Sequence, residues 1–152
     1  MKIYLGGSCS SDNRTLMTNI GTALKNKGYE VYCPFELQIE NAWSYSQEEW
    51  AKLVFDADIE ALDTCDIFIM ITPGRKSTAG TNWEQGYAYA KGKRIIVIQY
   101  GLEDTSLMTF SGCNSFVNTN KDYIIELARK FRKNLTKAEE ILWEILRAKR
   151  LN

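Results

Sequence analysis

The sequence predicts an α/β fold, a three-layer sandwich around a mostly parallel sheet of four or five strands, flavodoxin-like or Rossmann-like in its layering. Three observations predict it. Apolar runs of strand length alternate with longer stretches whose apolar residues recur every three or four positions. Gly, Asn and Pro sit at the junctions between them. A chain of 152 residues, 45% hydrophobic and 25% charged, is composed like one globular unit, which excludes a disordered or low-complexity chain. Strands spaced by helices imply right-handed crossovers and hence parallel pairing.

The first strand is predicted over residues 2–5, with Gly6-Gly7-Ser8 as the turn after it. Asp12 caps a helix running to about residue 26, with Leu16, Ile20, Ala23 and Leu24 on one face, and Gly28 stops it. Residues 30–33 form a second strand, ended by Pro34. From Ser46 a long helix carries Trp50, Leu53, Val54, Ala57, Ala61 and Leu62 at helical spacing. Residues 66–71 are the most strand-like run, broken by Thr72-Pro73-Gly74. A helix is expected from about residue 82 to 90, closed by Gly92, then strands over 94–99 and 115–118. Asn120 and Thr136 open two further helices. In such sheets ligands sit beyond the carboxyl ends of the strands, here residues 6–11 and 72–80.

Composition narrows the function. Nineteen basic residues balance nineteen acidic ones, so no global basic field for nucleic acid or membrane exists, and no direct nucleic-acid partner is expected. No apolar run is long enough to span a bilayer, and the first residues do not have the pattern of a signal peptide. A cytoplasmic location is the expectation. Cys9, Cys33, Cys65 and Cys113 are widely spaced and read as free thiols. Histidine is absent, which removes Ser-His-Asp and Cys-His catalysis and His-ligated zinc. Chemistry must come from carboxylates, hydroxyls, thiols, Lys or backbone amides; neither a metal nor a cofactor is expected.

Several residues are candidates for that chemistry. Gly6-Gly7-Ser8-Cys9-Ser10-Ser11 is small and hydroxyl-rich, suited to a sugar or phosphate, and equally to an ordinary strand-to-helix turn. It is neither a P-loop nor a G-x-G-x-x-G fingerprint. Thr81-x-x-Glu84 has the spacing of a capping box, as do Ser46-x-x-Glu49 and Thr136-x-x-Glu139. Glu84 would then lie in the first turn of a helix at the ligand edge, where dipole and free amides favour the ionised carboxylate. A fixed, ionised carboxylate is what attack on an anomeric carbon requires. Position alone leaves both readings open. Asp58 falls on or beside the apolar stripe of its helix and must be paired, hydrogen-bonded or functional; Asp56 and Asp63 read as solvated. Of Trp43, Tyr45, Trp50, Trp83, Tyr87 and Tyr89, those at helical spacing are expected in the core, with base stacking as the other use. Arg14 and Arg75 read as surface charges.

Taken together these segments resemble the nucleoside 2-deoxyribosyltransferase family from Ile3 to about Gly112. Ile3-Tyr4-Leu5-Gly6-Gly7 resembles its opening strand and glycine loop. The stretch from Trp50 to Asp66, with Asp58, resembles its long helix. Gly80-Thr81-Asn82-Trp83-Glu84-Gln85-Gly86-Tyr87-Ala88 followed by Gly92-Lys93 resembles its most specific motif, G-T-x-x-E-x-G-x-A and then G-K. Ser106-Leu107-Met108 stands where the family has Asn-Leu-Met. The resemblance implies that Glu84 takes a 2-deoxyribosyl group from a nucleoside as a covalent glycosyl-enzyme. Asp58 would handle the proton on the departing base, and Tyr4 would hold Glu84 by its hydroxyl. Gly6, Gly7, Ser8, Thr78, Gly80, Ser106 and Met108 would contact substrate. A second nucleobase would attack the same carbon with retention of configuration.

The implied partners are a nucleoside or nucleotide and a free nucleobase, in a homo-oligomer. The sequence departs from the family at Thr78, where an aspartate usually contacts the base, and at Ser106, where an asparagine reaches a neighbouring subunit's sugar. It departs also at Cys9 and Ser10, which replace aromatic residues of some members. Two alternatives follow: an N-glycoside hydrolase of a nucleoside 5′-monophosphate or modified nucleoside, and a non-catalytic nucleotide-binding or sensing module. Residues 1–133 form the expected enzymatic domain and 134–152 an amphipathic helical appendage. Overlapping its start, residues 131–147 resemble the opening helix of a very-short-patch-repair-endonuclease-like domain. The catalytic carboxylates of that fold would lie downstream, so an amphipathic helix packed on its own domain or a partner is expected, not DNA cleavage.

Overall fold

The computed structural model describes residues 1–8, 11–101 and 104–119, with the side chains of residues 11 and 12 left aside. The helices expected from Asn120 and Thr136, the appendage at 134–152, and Cys9 and Ser10 lie outside the described residues. Along the chain run β1 (Lys2–Gly7), α1 (Ser11–Asn26), β2 (Glu30–Tyr32), α2 (Gln47–Thr64), β3 (Ile67–Thr72), α3 (Ala79–Ala90), β4 (Arg94–Gln99), α4 (Leu107–Ser111) and β5 (Ser115–Asn118). All strands pair in parallel in the order β2-β1-β3-β4-β5. That is the flavodoxin-like order, and its switch point lies between β1 and β3, whose carboxyl ends open toward ligand.

Alternate side chains of the strands build two cores. On one face Ile3, Leu5, Ile67, Ile69, Ile71, Ile96 and Ile98 pack against Met17, Ile20 and Leu24 of α1. On the other face Tyr4, Phe68, Met70, Ile95 and Val97 pack against Leu62 of α2 and Ala88 of α3. β3 is buried along its whole length, as its unbroken apolar run requires of a central parallel strand. Gly28 and Gly92, both at positive φ, follow the ends of α1 and α3. Ser46 and Glu49 form the capping box expected at the start of α2, with the Ser46 N–H donating to Glu49 Oε2 at 2.8 Å. Among the described residues no helix is long and apolar enough to cross a membrane.

Two expectations are corrected. α3 begins three residues earlier than periodicity suggests, because Thr78, not Thr81, is its N-cap and accepts from the Thr81 N–H. Helical spacing also overstates the core. Trp43, Tyr45, Trp50, Leu53, Trp83 and Tyr89 are exposed, and only Leu62 of α2 is fully buried. The aliphatic strands fill the interior, so the helices need present only narrow apolar stripes.

Candidate functional site

The site grows out of strand register. β1 and β2 pair so that Tyr4 lies opposite Tyr32, and both side chains therefore leave the sheet on the same face. Their rings are 5.3 Å apart, and Tyr4 also stacks on Phe68 of β3 at 5.5 Å. Over this floor lie α2 and α3, each with a carboxylate on its inward stripe. Glu84 stands one turn before the buried Ala88, and Asp58 one turn before the buried Leu62. The Tyr4 hydroxyl donates to Glu84 Oε1 at 3.0 Å, and the Tyr32 hydroxyl donates to Asp58 Oδ1 at 2.7 Å.

Burial governs the charge of these groups. It pushes the Glu84 carboxyl up to about 7; the Tyr4 hydrogen bond opposes that rise and the nearby Asp58 adds to it. The Asp58 carboxyl is raised by burial too, against the hydrogen bond from Tyr32. Both tyrosines are held well above their ordinary range, first by desolvation, so they remain hydrogen-bond donors. Glu84 Oε2 is buried and, among the described residues, has no hydrogen-bond partner. A buried carboxyl oxygen left bare is costly, and such groups concentrate where chemistry is done. Glu84 is thus not the first-turn carboxylate of a capping box. It sits in the second turn of α3, and desolvation raises its pKa where the helix dipole was expected to keep it ionised.

β1 continues through Gly6 and Gly7, where a turn was expected, because both stay in register with β3, and Gly6 fits closely against this carboxyl. A Cβ at Gly6 would stand 3.0 Å from Glu84 Oε2 and 3.1 Å from the Phe68 ring, and one at Gly7 only 2.7 Å from Met17 Sδ and 3.0 Å from the Ile71 carbonyl. The carbonyl of Ser8 accepts from Asn13 Nδ2 at 2.8 Å, tying the loop to α1. Thr78 and Gly80 open α3 and are exposed; the Thr78 hydroxyl lies 2.8 Å from that of Thr81. Arg14 and Arg75 are also exposed, the first over the Phe35 ring and the second 3.8 Å from Asp104. Of the two carboxylates expected to be solvated, Asp56 pairs with Lys52, and Asp63 pairs with Lys91 and accepts from Tyr87.

Ser106 and Met108 are not brought to Glu84. They line a cavity of about 410 Å³ with Asn82, Gln85, Gly86 and Tyr89, on a flank of α3 that Glu84 does not share. A second cavity, about 530 Å³, lies past the carboxyl ends of β4 and β5, between Gln99, Asn118, Arg75 and Phe110. Neither of these two cavities is lined by Glu84. Among the described residues no group of three or more His, Cys, Asp or Glu side chains is placed to hold a metal ion. Sequence reasoning missed Tyr32 and Phe68. Tyr32 carries no motif, and its role depends on the pairing of β2 with β1, which only the register with Tyr4 discloses.

Comparison with solved structures finds this architecture elsewhere. A 2-deoxyribosyltransferase from Bacillus psychrosaccharolyticus superposes with a TM-score of 0.69 at 23% identity, over 91% of this chain and 94% of that one. A CMP N-glycosidase from Clostridium botulinum, BcmB, gives 0.57 at 24% identity, over 86% and 99%. A conserved protein from Enterococcus faecalis gives 0.55 at 22% identity, over 97% and 98%. At these identities the likeness establishes the fold. Among curated protein sequences none matches significantly. The sequence profile described as nucleoside 2-deoxyribosyltransferase matches residues 3–135, most of the chain, and the protein belongs to that family.

Proposed function

We propose that this protein breaks the N-glycosidic bond of a 2′-deoxynucleoside and transfers the 2-deoxyribosyl group to a second nucleobase. Family membership supports N-glycosidic chemistry on nucleosides. The observation that carries the residue assignment is Glu84 itself, with one oxygen held by Tyr4 and the other buried without a partner among the described residues. In its ionised form Oε2 attacks C1′ of the sugar. The C1′–N bond breaks, its electron pair stays on the base nitrogen, and Asp58 delivers a proton there. The acceptor base then attacks C1′ from the face the first base left, releases its proton to Asp58, and displaces Glu84. Two inversions give net retention. Gly6, Gly7 and Ser8 bound the sugar side, and Thr78 and Gly80 lie at the base side. Ser106 and Met108 serve the site of a neighbouring copy in a homo-oligomer.

A hydrolytic variant, with water as acceptor and a nucleoside 5′-monophosphate as substrate, keeps the same two carboxylates. The departures at Thr78 and Ser106 favour it, because the family resemblance puts both at base and sugar contacts. The test is incubation with deoxynucleosides and nucleotides, with and without a free acceptor base, followed by product analysis. Exchange products that need the acceptor support transfer. Free base released equally in both arms identifies hydrolysis, and no release from any substrate removes the enzymatic assignment in favour of a binding module.

A further inference from the structure

The two carboxylates are each held by a tyrosine, and the two tyrosines are partners in one strand pairing. We infer that Tyr32 is the positioning residue of Asp58, fixing the proton-handling carboxyl over the departing base as Tyr4 fixes the nucleophile. The inference rests on the proposed glycosidic reaction but adds a residue that neither motif nor composition marks. Geometry carries it. Tyr32 and Tyr4 lie opposite one another in register, on one face, with rings 5.3 Å apart, so the backbone pairing of β1 with β2 sets the spacing of their hydroxyls. Those hydroxyls reach different helices, Asp58 on α2 and Glu84 on α3. A shift of either helix along the sheet would break one hydrogen bond and leave the other. The pair therefore fixes one carboxyl relative to the other, which a two-carboxyl mechanism needs and which packing of two exposed-faced helices would leave loose.

The hydrogen bond also sets which proton form Asp58 takes. Tyr32 donates, so it favours the ionised carboxyl against the burial that disfavours it. The ionisable groups that act on this pair are Tyr4 from β1, Glu84 from α3 and Cys33 beside Tyr32. Replacing the hydroxyl by hydrogen removes a stabiliser of the charged form, and the carboxyl must then titrate at higher pH.

The test uses the whole chain and two kinds of readout. First, the Asp58 carboxyl is titrated by carbon NMR in aspartate-labelled wild type, in Tyr32→Phe, and with 3-fluorotyrosine placed at Tyr32. The Phe variant keeps the ring, while the fluorinated one keeps a stronger donor. Asp58 is expected to move to higher pH with Phe and to lower pH with fluorotyrosine. Second, turnover is measured in wild type, Tyr32→Phe, Asp58→Asn and the double variant. Tyr32→Phe is expected to lower kcat about tenfold to a hundredfold with KM within about twofold, a part of the ~10²–10⁴ that an acid–base group supplies. In the Asp58→Asn background the same change should cost under about twofold. An unmoved Asp58 titration, or an equal loss in both backgrounds, overturns the inference. The titration needs no substrate. A wild type that leaves every nucleoside intact while Asp58 shifts as expected would sink the glycosidic assignment and leave the Tyr32–Asp58 coupling standing.

Discussion

Burying the Glu84 carboxyl makes its ionised form expensive, and the cost appears both in activity and in stability. Its pKa rises from the ordinary 4.5 to about 7 in the folded chain. Between those values the folded state holds a proton that the unfolded state has lost, so stability falls as pH rises through that window and levels off above it. The full difference is on the order of 3 kcal/mol. Glu84→Gln removes the charge. It should therefore unfold at a higher temperature than wild type at pH 8, with the advantage gone or reversed at pH 5, in thermal melts at the two pH values. The same substitution should lower turnover by at least about a thousandfold, because it removes the proposed nucleophile. A nucleophile must be ionised, so wild-type activity should fall as pH drops through about 7. Tyr4→Phe deletes the hydrogen bond that lowers the Glu84 pKa. Its acid limb should lie at higher pH than that of wild type, read from kcat/KM against pH.

At the scale of elements, the start of α3 and the carboxyl end of β1 are two places where single residues carry a measurable load. Thr78 caps α3, so Thr78→Ala should cost about 1 kcal/mol in denaturant unfolding. Gly7→Ala should cost more, about 1–3 kcal/mol, since its methyl meets the Ile71 carbonyl as well as Met17. Gly6→Ala presses instead on Glu84 Oε2 and should lose activity out of proportion to stability. These same junctions mark where the sequence could and could not be read. β4 and β5 fall where their apolar runs put them, because a buried strand bounded by Gly, Asn or Asp has little freedom of register. The start of α3 departs from the apolar periodicity because Thr78 and Thr81 are both competent caps and it is Thr78 whose side chain accepts from the Thr81 N–H. The inward placement of Glu84 and Asp58 is legible in motif and apolar spacing. Their tyrosine partners differ: Tyr4 followed from resemblance, while Tyr32 needs a pairing that no local pattern encodes.

At the scale of the whole molecule, residues that the family resemblance assigns to one substrate lie on two separate parts of the chain. Glu84, Asp58, Tyr4 and Gly6 gather at the β1–β3 switch point, while Ser106 and Met108 line the cavity on the far flank of α3. Met108 and Leu107 are each 82% exposed, a state that apolar side chains at a binding edge do not need unless something else covers them. Phe55, Trp83 and Tyr87 form an aromatic run along α2 and α3, with Phe55 and Trp83 exposed. In the proposed homo-oligomer, a second copy would bring its Ser106 to this copy's Glu84, and a symmetric pair would complete two such sites. The prediction is complementation. Glu84→Gln and a bulky Ser106→Arg variant should each be inactive alone. Mixed and allowed to exchange subunits, they create sites that join an intact Glu84 from one copy to an intact Ser106 from the other, and part of the wild-type turnover should return. Sites completed within one chain give no such recovery, whatever the mixing ratio. Light scattering on the same samples then separates a failure to assemble from an assembly whose sites do not cross between copies.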